Sequence, residues 1–253
     1  MITKEDLKDY IHSSTIGTPS YASLESLENH GEFEIEQQSK IRKLGAKNLS
    51  QSWTSIPHVT HFEEIDISII EKQRSELNKI SETKLTPLSY LVMKVISALQ
   101  EFPQFNAALV GEGEIMLRKY FNIGIAVDTK DGLLVPVIRD ADSLNINEVA
   151  YEIQILAEKA KSKKLLEKNL SGGTFSISSL GPMGGTGFTP IINPPEVAIL
   201  GVSRAKKVPV LEGDKLVEKT ILPVALSYDH RVINGADAGK FMNFLKSEIE
   251  KGI

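Results

Sequence analysis

His230 sits in a polar turn, Leu226-Ser227-Tyr228-Asp229-His230-Arg231-Val232-Ile233-Asn234-Gly235-Ala236. Before it, the apolar run Ile221 to Leu226 reads as a buried strand. After it, a run from Gly235 carries Met242, Leu245 and Ile249 on one face and reads as a helix. A turn held on both sides can place an imidazole firmly, as general base catalysis needs. Three chemistries compete with the reading of a loop histidine that has no role. As a metal ligand it lacks partners at ligand spacing, because His58 and His61 are distant and there is no cysteine. As the base of a serine hydrolase it would need a Gly-x-Ser-x-Gly elbow, which is missing. As a base acting on the substrate's own thiol or hydroxyl it needs only a second group to hold an oxyanion, and Ser178 could donate that hydrogen bond. A thiol near ~8.5 and an imidazole near ~6.5 are well matched around neutral pH. Spacing alone does not show that Ser178 and His230 meet. Arg231 could anchor a loop carboxylate or meet a phosphate, and both remain open.

Strands and helices must position these groups. Thr3 with Asp6 makes a capping-box pattern for a short helix over Met1 to Ile11, and 12–31 has a linker composition. Glu32 to Glu36 alternates like a short strand, an arm at the start of the globular part. Ser39 caps a helix with Ile41, Leu44, Leu49 and Trp53, which Pro57 ends. Val59 to Ile67 reads as a strand. His58 and His61, near its start, read as packing or surface residues. Ser68 with Glu71 opens a helix with Ile70, Leu77 and Ile80 inward. Thr86-Pro87 starts a strongly periodic helix with Leu88, Leu91, Val92, Val95, Ile96 and Leu99. Phe121 to Asp128 and Leu133 to Ile138 form a strand pair about Asp131-Gly132, and Asn147 caps a helix. Gly173 to Leu180 is a strand with Phe175 and Ile177 on one face and Thr174, Ser176 and Ser178 on the other, a hydroxyl stripe suited to solvent or a polar channel. Gly184 to Gly187 is no phosphate cradle, because Pro190 and Pro194-Pro195 stand where a helix N-terminus should follow. Strands at Val197 to Val202 and Val208 to Leu211 precede a hairpin at Gly213-Asp214. The pattern implies an α/β fold of the α+β type, a mixed sheet with helices packed on it.

The totals agree with an ordinary globular protein: 253 residues, 41% hydrophobic, net charge -4. Acids and bases are interspersed, which gives no case for nucleic acid, and neither a signal peptide nor a run of transmembrane length is evident. Without cysteine, disulfides, cysteine-based metal sites and a cysteine nucleophile are excluded. A cytoplasmic location is expected, and no metal.

The turn Asp229 to Ala236 resembles the His-x-x-x-Asp-Gly signature of the dihydrolipoyl acyltransferases of 2-oxo acid dehydrogenase complexes, shared with chloramphenicol acetyltransferases. Phe175 to Gly181, Gly184 to Ile191, Pro195 to Gly201, Asn122 to Val127 and Gly132 to Val137 resemble the same family in the same order. The likeness runs from about Glu32 to the C-terminus. Ser52-Trp53 and Ile56 to Phe62 are similar to the acetyl-transferring, pyruvate branch. Ile2 to Tyr10 resembles the tail of a peripheral subunit-binding domain.

The resemblance implies a chloramphenicol acetyltransferase-like fold. It implies a remnant of the binding domain at 1–11, a linker at 12–31 and a catalytic domain at 32–253, the lipoyl group being carried on a domain absent from this chain. It implies acetyl transfer between dihydrolipoyl-lysine and coenzyme A without an acyl-enzyme, His230 taking the thiol proton and Ser178 holding the oxyanion. It implies a homotrimer with the site between subunits, a larger and often cubic core of a pyruvate dehydrogenase complex, and partners in the lipoyl domain and the other subunits. Asn234 departs from the usual Asp. It keeps hydrogen-bonding capacity without charge and reads as an orienting residue, not as an acid or base. That departure also leaves room for a core whose main role is assembly, or for another acyl group.

Overall fold

The computed structural model describes residues 30–252. The readings at 1–11 and 12–29 lie outside them. The elements run α1 (Lys40–Ser55), β1 (His58–Asp66), α2 (Ser68–Leu77), α3 (Pro87–Glu101), β2 (Ala107–Val110), β3 (Glu114–Leu117), β4 (Ile123–Ile125), β5 (Val127–Thr129), β6 (Gly132–Leu134), β7 (Val137–Ile138), α4 (Ile146–Lys161), β8 (Phe175–Ser179), β9 (Ala198–Val202), β10 (Lys206–Glu212), β11 (Lys215–Asp229) and α5 (Gly235–Glu250).

A seven-stranded mixed sheet has the order β1-β11-β9-β8-β4-β7, with β10 paired to β11. β4, β8 and β9 are mutually parallel, and the remaining pairings are antiparallel. β11 is the backbone of the fold. Its first half pairs with β10 up to Lys206↔Ile221, and its second half is flanked by β1 and β9. A strand with neighbours on both edges and both faces covered is mostly apolar, and the polar side chains it keeps, here Ser227 and Asp229, are hydrogen-bonded. Leu222 to Asp229 is buried at every position.

α3 stands at the centre of the helical layer, touching α2, α4 and α5. Pro87 sits in its first turn, where a missing N–H costs nothing. Leu91, Val92, Val95, Ile96 and Leu99 line its buried stripe. The face of β8 that carries Phe175 meets the helices: Phe241 of α5 stacks on Phe105 at 4.3 Å between centroids and lies 6.3 Å from Phe175. This aromatic knot seats α5, and so the turn that precedes it, against the sheet.

The structure corrects several expectations. Glu32 to Glu36 forms no strand. The apolar residues of α1 face outward, with Leu44 and Trp53 about three-fifths exposed, while Ser52 is buried. α2 stops at Leu77; Ile80 lies beyond it and is exposed. Ser68 is the first residue of that helix and not its cap, and Asp66 accepts its N–H and hydroxyl. α4 is capped by Asn145, whose Oδ1 accepts from Asn147 and Glu148. Phe121 to Asp128 and Leu133 to Ile138 each break in two: β4 and β7 join the main sheet, while β5 and β6 form a separate ribbon. The hairpin β2–β3 was not anticipated.

Candidate active site

The C-terminal end of β11 delivers His230. The strand's pairing ends at His58↔Asp229, and the next backbone N–H, that of His230, donates to the Pro57 carbonyl at 3.1 Å. Asp229 then organises the turn. Its carbonyl accepts from Val232 and Ile233, and its N–H donates to Val197. Its carboxylate, 2% exposed, takes Nε and a terminal nitrogen of Arg231 at 2.9 and 2.6 Å. Arg231 therefore anchors a loop carboxylate, one of the two roles open from sequence. A two-pronged guanidinium–carboxylate pair sets orientation as well as charge. The His230 ring is exposed, 6.0 Å from the Tyr228 ring, and has no side-chain hydrogen bond among the described residues. Its backbone is tied down and its imidazole is free to meet a partner.

Asn234 closes the turn as the N-cap of α5, its Oδ1 accepting from Asp237 at 3.0 Å. This is an orienting role that needs no charge. Asn234→Ala removes the cap and lowers stability by about 1 kcal/mol, a fall of about 2–4 °C in Tm for a domain of this size. Asn234→Asp keeps the acceptor and adds a charge favoured at a helix N-terminus, so it melts no lower than the parent. Thermal melts of the two variants check this; an alanine variant melting with the parent contradicts it.

Ser178 lies elsewhere in the same chain. Across the sheet it pairs with Gly201, and Gly201 pairs with Ala225, five positions before His230 and two strands away. Strand geometry puts the two side chains roughly 20 Å apart. They do not meet within one chain. The hydroxyl stripe also divides. Thr174 and Ser176 are fully buried and internally bonded, to the Asn122 carbonyl and to Glu196. Only Ser178 is partly exposed, with no hydrogen bond from its hydroxyl among the described residues. The stripe is thus neither a channel nor a wet face along its length. Beside Ser178, a Cβ at Gly201 would stand 2.9 Å from the Phe188 ring, so glycine lets the Pro/Gly-rich loop fold onto the sheet here.

Against Ser176, two residues before Ser178, lies a group that sequence reading missed. Glu196 is 3% exposed; its Oε1 accepts from Ser176 at 2.9 Å and Asn193 at 3.4 Å, and its Oε2 has no partner. Burial pushes its carboxyl up to about 7, against the hydrogen bonds from Ser176 and Asn193 and the nearby Arg118 guanidinium. Between about 4.5 and about 7 the unfolded chain ionises this group while the folded chain keeps it protonated. The unfolded state then binds fewer protons, so stability falls as pH rises through that window. The full loss is on the order of 3 kcal/mol. Glu196→Gln keeps the acceptor and cannot ionise. The variant is expected to match the parent near pH 4.5 and exceed it above pH 7, read from denaturant melts at both pH values. Equal pH dependence in the two proteins counts against a buried neutral acid.

Among the described residues no group of three or more His, Cys, Asp or Glu could hold a metal, and no helix is long and apolar enough to cross a membrane.

Comparison with known proteins adds identity to this geometry. The family model for the 2-oxoacid dehydrogenases acyltransferase (catalytic domain) matches residues 30–252. The chain belongs to this acyltransferase family. It is 47% identical over 217 residues to the dihydrolipoyllysine-residue acetyltransferase component of the pyruvate dehydrogenase complex of Cupriavidus necator, and 49% identical over 216 residues to that of Azotobacter vinelandii. Those alignments cover 85% and 84% of this chain but 39% and 34% of the relatives. The chain thus spans well under half the length of these curated relatives.

The acyltransferase fold is equally plain in solved structures. The Azotobacter vinelandii dihydrolipoamide acetyltransferase superposes with a TM-score of 0.88 at 44% identity, covering 92% of this chain and 97% of that one. A cubic core of the pyruvate dehydrogenase multienzyme complex matches equally well, again with a TM-score of 0.88 at 44% identity and the same coverage. Chloramphenicol acetyltransferase, at a TM-score of 0.53 and 12% identity, shares the fold. The Azotobacter structure belongs to an investigation of one serine, one histidine and one asparagine in that enzyme's catalytic mechanism. Its histidine follows the serine by 52 positions and its asparagine follows the histidine by 4, the spacings of Ser178, His230 and Asn234.

Proposed function

We propose that this chain is the acyltransferase core of a pyruvate dehydrogenase complex, moving acetyl between dihydrolipoyl-lysine and coenzyme A. The observation that carries this is a free imidazole on a backbone-anchored turn together with an unbonded hydroxyl on β8, at the serine–histidine spacing of the Azotobacter enzyme. His230 removes the proton from the attacking thiol. The thiolate adds to the thioester carbonyl, and Ser178 donates a hydrogen bond to the oxyanion. Collapse breaks the original C–S bond, and the departing thiolate recovers the proton from the imidazolium. Transfer is direct, so no cysteine is needed. The separation of the two groups within one chain means that His230 of one subunit works with the serine of a neighbour. A ring of three copies, each offering its β11 turn to the next subunit's β8, meets that requirement with a closed heterologous interface. Larger assembly, as a cubic core, extends such trimers.

Coenzyme A and the lipoyl arm enter as substrates. In the same reading, 32–253 is the catalytic domain, 12–31 a linker and 1–11 part of a subunit-binding domain. The location is cytoplasmic. An assay with free dihydrolipoamide and acetyl-CoA tests the reading, with particle size measured on the same sample. Assembly without turnover would return the chain to a purely structural role. Asn234 no longer favours that role, since its spacing counterpart belongs to the active Azotobacter enzyme.

A further inference from the structure

His58 is used at both ring nitrogens. Nδ1 lies 2.8 Å from the Ile56 carbonyl, and the Ile192 N–H donates to Nε2 at 3.0 Å. A carbonyl only accepts and an amide N–H only donates. The two partners therefore assign the proton to Nδ1 and the lone pair to Nε2, a neutral ring. Ile192 is held a second time, its carbonyl accepting the Ser52 hydroxyl at 2.6 Å. Ile56, Ile192 and Ile199 form a small apolar cluster of their own, and the Trp53 ring lies 5.4 Å from the His58 ring. The imidazole thus rivets the 190–193 segment to the corner where α1 passes into β1.

That corner is where the catalytic turn is fastened. Pro57, between the two residues just described, provides the carbonyl that accepts the His230 N–H, and His58 itself pairs with Asp229. We propose that His58, as the neutral Nδ1–H tautomer, is a positioning residue for His230, fixing the Pro57 carbonyl on which the catalytic backbone hangs. This rests on His230 being the base of the transfer reaction. Asp229, opposite His58 in the ladder, is already paired with Arg231. Residues 51–56 and 189–193 bring no charge.

Three variants of the full chain separate this from a simple packing role. In His58→Gln the side-chain oxygen takes the place of Nε2 and keeps the bond from Ile192. His58→Asn keeps a donor near Nδ1 and loses that bond, and His58→Phe keeps only the ring. Misplacing a base by about 1 Å costs up to ~10²-fold. The Gln variant is expected to hold kcat within about threefold of the parent, and the Asn and Phe variants to lose about 10- to 100-fold. KM for acetyl-CoA and dihydrolipoamide stays unchanged in all three. Equal kcat in the Gln and Asn variants overturns the proposal. A parent without turnover, or an active His230→Ala, overturns instead the reading of His230 on which it rests.

Discussion

Alanine at position 230 is expected to reduce acetyl transfer by about 10²- to 10⁴-fold, the range for loss of a general base. The structure makes this a clean experiment. The His230 ring is exposed and has no side-chain hydrogen bond, while the backbone is held by Pro57 and by the turn about Asp229. Its removal leaves no cavity and strands no buried partner, so stability should move by no more than about 0.5 kcal/mol. Assembly size and Tm should follow the parent while turnover collapses. Full activity in this variant would end the proposed mechanism, because no other free imidazole in the turn can take the thiol proton.

Ser178→Ala carries the second largest effect. Loss of one preorganised donor to an oxyanion costs about 10²- to 10³-fold in kcat, and KM changes little because the ground-state carbonyl needs that donor less. This position also tests the subunit arrangement. Within a chain the two residues are roughly 20 Å apart, too far for any side-chain motion to bridge. His230→Ala and Ser178→Ala chains, each nearly inactive, should therefore complement one another when unfolded together and reassembled. In a random mixture about a quarter of the heterologous interfaces pair an intact histidine with an intact serine, and activity returns to that order. Separately refolded proteins, mixed afterwards, should stay inactive. No recovery after joint reassembly, in particles of parental size, would show that each site is built from a single chain.

How much of this was legible beforehand differs from element to element, for physical reasons. α3 was readable because its buried stripe recurs at helical spacing and Pro87 marks its start. β8 was readable from the alternation of Phe175 and Ile177, and the turn around His230 from the change of period between β11 and α5. α1 misled: its apolar residues are spaced as if for a core, yet Leu44 and Trp53 face outward, which is what a face reserved for other surfaces looks like to a reader of one chain. The N-cap of α4 was placed two residues late because Asn145 and Asn147 are equally good caps by type, and only the geometry chose the first. The long runs over 121–138 broke because a strand ends where its neighbour in the sheet ends, and no local signal reports that.

The candidate site divides along the same line. Residue type and order offered His230 and Ser178 as candidates, since protonation chemistry and hydrogen-bonding capacity belong to the side chain itself, while Asn234 was marked only by the resemblance of its turn to a family signature. The amino-acid order also determined the apolar length of β11, and hence that the histidine leaves a buried strand. Tertiary structure alone decided that Ser178 and His230 stand far apart within a chain, that Arg231 closes on Asp229, that Glu196 is sealed under β8, and that His58 takes the amide of Ile192, 134 residues away in the chain. Each of these depends on strand register and on long-range backbone contacts, which arise from packing the whole sheet and leave no trace in the spacing of neighbouring residues.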